Sequence, residues 1–198
     1  MDRREAVGLL SALPFLGGLP LPPAAAQRGA RFVRALRTAP PAPQAYDPKC
    51  FTAHEWQTVR LLVDLVIPRD ERSGSATDAG VPEFMDFILV EYPDHQPWMR
   101  GGLAWLDIES RRRFARPFVD AEPAQRTAIL DDIAWPAKAP QALHQGVAFF
   151  NRFRDLTASG FFSSEMGVAD IRYRGNTFVM DWQGCPPEQL QKLGVRYP

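Results

Sequence analysis

From about residue 52 to residue 158, apolar positions recur at the spacing of amphipathic helices. Thr52-Ala53-His54-Glu55 opens the first helix with a capping box, in which the Thr hydroxyl and the Glu carboxylate each take a backbone N–H. Trp56, Val59, Leu62, Val63, Val66 and Ile67 continue it, and Pro68 ends it. Residues 69–80 form a polar, glycine-bearing loop. Pro82 then suits a first helical position, and Phe84, Phe87, Ile88 and Glu91 carry that helix to Tyr92-Pro93. A third helix is predicted from about Trp98 to Arg113, with Leu103, Leu106, Ser110 and then Phe114 on one face. Arg111-Arg112-Arg113 reads as a solvated helix end, where cations oppose the carboxyl-terminal dipole. Pro123 starts a fourth helix with Ile129, Leu130 and Ile133 inward. After the proline-bounded connector 135–140, a fifth runs from about Gln141 to Ala158 on a stripe of Leu143, Val147, Phe150 and Phe153. Only Thr177-Phe178-Val179-Met180 has any character of a strand. The pattern predicts an all-α chain: a single compact domain of about five helices over residues 49–198, with an irregular, aromatic-rich carboxyl-terminal tail from about Gly160.

Proline breaks the picture at the amino terminus: of 19 in the chain, Pro14, Pro20, Pro22, Pro23, Pro40, Pro41, Pro43 and Pro48 precede the first predicted helix. Met1-Asp2-Arg3-Arg4-Glu5 and the apolar run that follows have the plan of an export signal over residues 1–26. Ala24-Ala25-Ala26 supplies the small residues a signal peptidase reads, which places cleavage between Ala26 and Gln27. The paired Arg3-Arg4 points to the twin-arginine route. Against this stands a frayed amino-terminal helix with no targeting role. Pro14, Gly17 and Gly18 interrupt the run, which is therefore a poor membrane span. Residues 27–48 read as a Pro/Arg-rich extended arm or linker, either touching a partner or anionic lipid or simply solvated.

Charge sharpens this division. The formal net charge of zero conceals a neutral leader, a stretch 27–46 of +4 carried by Arg28, Arg31, Arg34 and Arg37, and a remainder, residues 47–198, of −4. A balanced chain is a poor nucleic-acid binder, so no nucleic-acid partner is expected. No glycine-rich dinucleotide fingerprint, phosphate-cradling loop or haem-attachment motif is present, and the chain is expected to hold no cofactor of its own. His54, His95 and His144 are too scattered for a zinc site, and no nucleophile–base order stands out, so neither catalytic nor metal-ligating residues are expected.

Cys50 and Cys185 are the only thiols. In an oxidising compartment they are a candidate disulfide joining the two ends of the domain, with free buried thiols or a bridge to a partner as the alternatives. Aromatic and Arg residues crowd the tail. Phe150 and Phe153 fill the core, whereas Phe161, Phe162, Tyr173, Asn176 and Trp182 are candidates for an interface with another subunit.

Several segments carry a family resemblance. Leu65-Val66-Ile67-Pro68 and Gly74-Ser75-Ala76-Thr77-Asp78-Ala79-Gly80-Val81-Pro82-Glu83-Phe84 resemble the opening of the gluconate 2-dehydrogenase subunit 3 family. So do Gly102-Leu103-Ala104-Trp105-Leu106-Asp107, Phe161-Phe162-Ser163-Ser164-Glu165-Met166-Gly167, Tyr173-Arg174-Gly175-Asn176-Thr177 and Gly184-Cys185-Pro186. Phe162 and Ser163 stand where the family usually shows Tyr and Thr. The resemblance implies a non-catalytic small subunit of a periplasmic or membrane-associated sugar or sugar-acid dehydrogenase. It implies an FAD-containing catalytic subunit of the glucose–methanol–choline type, and a multihaem cytochrome c as a third subunit. It also implies that the small subunit engages the twin-arginine export machinery and escorts the folded flavoprotein. Two alternatives stay open: a subunit that also shapes the substrate pocket or the electron path, and a stand-alone exported scaffold.

Overall fold

The computed structural model describes residues 22–38, 46–173, 175, 180–181 and 184–196. Among them are eight α-helices and no strand. In chain order these are α1 (Pro23–Thr38), α2 (Ala53–Val66), α3 (Val81–Glu91), α4 (Gln96–Phe114), α5 (Pro123–Ala134), α6 (His144–Ser163), α7 (Glu165–Asp170) and α8 (Pro187–Leu193). The all-α expectation holds. The predicted strand at 177–180 falls mostly outside the described residues.

The capping box at α2 forms as read. Thr52 Oγ1 accepts the Glu55 N–H at 3.3 Å, and Glu55 Oε2 accepts the Thr52 N–H at 2.8 Å. α5 uses Glu122 and Gln125 for the same purpose, with Pro123 at its first turn. α6 is the central helix and packs on α1, α2, α3, α4, α5 and α7. Its buried residues, among them Val147, Phe149, Phe153, Leu156 and Phe161, run almost its full length, as a helix enclosed by neighbours requires.

Two expectations are corrected. The tail is not irregular from Gly160: α6 continues to Ser163, and α7 and α8 follow. Phe161 is the reason, because its ring is wholly buried and holds the last turn of α6 on the core. The segment 27–48 is not an extended arm throughout, since its first part lies in α1, which packs on α3 and α6. Ala25, Gly29 and Val33 are the buried positions of α1, spaced at i, i+4 and i+8, and their small size lets the helix come close. A Cβ on Gly29 would lie 2.5 Å from the Phe84 ring, and one on Gly160 of α6 would lie 2.8 Å from that same ring. Phe84 is thus the wedge between α1 and α6. Phe32 stacks on Phe87 at 4.8 Å, and Arg28 donates to Glu91 Oε1 at 3.0 Å and to the Tyr92 hydroxyl at 2.7 Å. The sequence signal was weak because four arginines and an adjoining run of prolines dominate the segment, while Ala25 and Gly29 thin out an apolar stripe completed only by Val33 and Phe32.

Candidate partner interface

The polar loop after α2 is a built structure. Asp78 Oδ2 accepts the Ser75 N–H at 2.8 Å and an Arg69 N–H at 2.7 Å, while the Asp78 N–H donates to Ser75 Oγ. The Ser75 N–H above all holds the Asp78 carboxyl below the usual carboxylate range. Thr77 N–H donates to Asp64 Oδ1 at 2.7 Å, tying the loop back to α2. Gly80 takes a left-handed φ of +81° to turn into α3, and a Cβ there would lie 2.4 Å from Val33 Cγ1 of α1. The glycines, serine and aspartate of this motif therefore serve geometry.

The second motif makes the α6–α7 corner. Ser164 Oγ donates to the Phe161 carbonyl at 2.6 Å and accepts the Gly167 N–H at 3.0 Å, capping α7. Arg72 reaches from the loop to the Asp170 carbonyl at 2.6 Å, so the two motifs, distant in sequence, meet.

Two clefts flank α7. The larger, of about 960 Å³, separates it from α1; Val33 and Met166 lend it an apolar floor, and Arg31, Arg34 and Arg37 border it. Arg37 donates to the Asp78 carbonyl, which fixes that rim to the loop. The smaller, of about 500 Å³, lies between α7 and the loop, with Arg72, Gly74, Asp170 and Arg172 around it. Met166 and Ala169 line both. An apolar floor with an arginine rim is the composition of a protein-binding surface.

Elsewhere the buried carboxylates of Asp86, Asp107 and Glu109 are occupied inside the fold. Asp86, fully buried, accepts from the Tyr46 hydroxyl at 2.8 Å and from the backbone N–H groups of Lys49, Cys50 and Phe51. It anchors the chain entering α2, and burial together with this carboxylate pushes the Tyr46 phenol well above its ordinary range. Asp107 accepts the Phe118 N–H at 2.9 Å, with His54 Nε2 at 2.6 Å and Arg111 at 3.6 Å. Glu109 accepts from both Arg112 and Arg113, and Arg113 reaches on to Asp132. The arginine run at the end of α4 is solvated at Arg111 and Arg112, as expected, and is paired as well. Burial lowers His95 from its ordinary value, and His144 is exposed on α6. Among the described residues, no group of three or more His, Cys, Asp or Glu side chains is placed to hold a metal ion, and no helix is long and apolar enough to cross a membrane.

The residues singled out from sequence are dispersed. Arg3, Arg4, Asn176 and Trp182 lie outside the described residues. Ala26 and Gln27 fall within α1. Cys50 is a buried free thiol, raised by burial, whereas Cys185 is exposed, and the structure does not join them. Phe161 is corrected from interface to core, being 0% exposed, because the α6–α7 corner folds over it. Phe162 is half-buried against the core, and Tyr173, just beyond α7, is 60% exposed beside the exposed Ile171. The cleft itself was not foreseen. The α1 spacing of Arg31, Arg34 and Arg37, on a helical i, i+3, i+6 pattern, was the available signal.

Taken together, the fold and clefts define a small helical domain whose motifs shape a surface. The chain matches the model of the gluconate 2-dehydrogenase subunit 3 family over residues 53–181, and it belongs to that family. No curated protein and no solved structure matches it. Membership makes it a subunit of a dehydrogenase complex, in an accessory place beside a catalytic partner.

Proposed function

We propose that this chain is the non-catalytic small subunit of a periplasmic or membrane-associated, FAD-dependent sugar or sugar-acid dehydrogenase. In this reading it binds a flavoprotein of the glucose–methanol–choline type, stabilises it, and carries it through the twin-arginine machinery as a folded passenger. The flavin belongs to that partner, and a multihaem cytochrome c completes the electron path. The observation that carries the reading is family membership across most of the helical domain. The arginine-rimmed cleft beside the Ser163–Gly167 corner supports it, because it offers the partner an apolar floor bordered by cations. The export part rests on the Arg3-Arg4 leader.

The test is export of the pair. Replacing Arg3→Lys with Arg4→Lys is expected to leave both this chain and the flavoprotein in the cytoplasm. Flavoprotein that still reaches the periplasm sinks the escort role. Capture of the native chain from the exported fraction is expected to bring flavin absorbance with it, and capture without flavin favours the stand-alone scaffold.

A further inference from the structure

We infer that α1 stays on the mature subunit and that the Ala26–Gln27 peptide bond, the cleavage site marked by the Ala24-Ala25-Ala26 run, is not processed in the folded protein. The inference rests on the export reading for its setting, and on geometry for its content.

A peptidase binds its substrate as an extended strand, through main-chain hydrogen bonds on both sides of the bond it cuts. Residues 24–27 are not available in that form. They lie in the first turns of α1, where the Ala25 and Ala26 N–H groups donate to the Pro22 carbonyl at 2.8 and 3.4 Å. Ala25 has no exposed surface. Immediately after the bond, Arg28 is held by Glu91 and Tyr92, and Gly29 is pressed on the Phe84 ring. Extending residues 24–27 therefore means unwinding the start of α1, withdrawing Ala25 and loosening the Arg28 contacts together.

The order of events makes this decisive. The twin-arginine route carries chains that are already folded, so a peptidase on the far side meets α1 docked. Cleavage then waits on local opening of the helix. The composition of α1 fits a permanent part of the fold. Glycine within a helix is unfavourable relative to alanine, and Gly29 is justified by the Phe84 ring it admits. A disposable leader or a linker needs neither that glycine nor the buried spacing of Ala25, Gly29 and Val33.

The chain purified from the periplasmic fraction, examined by intact mass and amino-terminal peptide mass spectrometry, is expected to retain Pro23–Thr38. A mature amino terminus at Gln27 overturns the inference. A chain found only in the cytoplasm counts against the export reading instead, and trypsin then decides the point. Cutting after Arg28 in the native full-length chain is expected to be at least about a hundredfold slower than in a free peptide of residues 22–38. Comparable rates in chain and peptide overturn the inference.

Discussion

Two arginine clusters in this molecule share a composition and differ in what surrounds them. At the carboxyl end of α4, Arg111, Arg112 and Arg113 meet Asp107, Glu109 and Asp132, and the charges close on one another within the chain. On α1, Arg31, Arg34 and Arg37 border an apolar-floored cleft. The first cluster holds helices and the connection after α4 together. The second borders a concave surface that a second chain can fill. Counting arginines does not separate the two, because what distinguishes them is where they stand: the first run reaches Asp107, Glu109 and Asp132, whereas the second lines a cleft.

The closed cluster breaks most severely at Asp107, which is 6% exposed and accepts from the Phe118 backbone as well as facing His54 and Arg111. Asp107→Ala leaves a buried N–H without its acceptor and is expected to destabilise the fold by about 2–4 kcal/mol. Asp107→Asn keeps an acceptor for Phe118 and recovers part of the loss. Urea unfolding of the three proteins measures both steps. A loss below about 0.5 kcal/mol in the Ala variant, the scale of an ordinary surface change, removes the structural reading of this cluster.

Glu109 tests the same cluster through pH. Hydrogen bonds from Arg112, then Arg113, draw its carboxyl from 4.5 down to about 2. The folded pKa is depressed, so the unfolded chain binds this proton first as pH falls. The stabilisation is complete above about pH 4.5 and is lost as pH falls toward 2. Glu109→Gln is expected to cost about 1–2 kcal/mol at pH 7. Its stability deficit against the parent should shrink steadily between pH 4.5 and pH 2, measured by urea midpoints. A deficit independent of pH across that window contradicts the assignment.

Legibility in the sequence follows the same division. α2 to α5 were readable because each has a periodic stripe, in α2 between a clear start and stop, as with Thr52, Val59-Leu62-Val63 and Pro68. α1 was hidden because Ala25 and Gly29 supply half of its packing face and leave only Val33 and Phe32 to mark a hydrophobic stripe. Asp86 was legible in principle, as a lone carboxylate within Phe84-Met85-Asp86-Phe87-Ile88, but its partners at Tyr46 and Lys49–Phe51 are fixed only by the tertiary fold. The family motifs were visible as strings, and their work was not. That the Gly74–Gly80 loop and the Ser163–Gly167 corner meet through Arg72 and Asp170 depends on the path of α6 between them. Phe161 looked like an interface residue because aromatic density does not say which side of a helix end faces inward.

The open cluster is expected to give the smallest effect on stability and a clear effect on assembly. Arg31 is exposed on α1 and lines the larger cleft. Arg31→Glu touches no core packing and should leave the unfolding free energy within about 0.5 kcal/mol of the parent. If the cleft receives an acidic surface of the catalytic subunit, reversing this charge replaces attraction with repulsion at the rim of the interface. The association rate should then fall by about fivefold or more at low salt, with the difference narrowing as salt rises. Binding kinetics of the purified subunit with the flavoprotein, at two ionic strengths, separate this from a folding defect. Unchanged association at low salt moves the interface away from the α1 cleft, toward the exposed Ile171 and Tyr173 beyond α7. A stability loss comparable to that of Asp107→Ala would show that the two clusters are not different in kind.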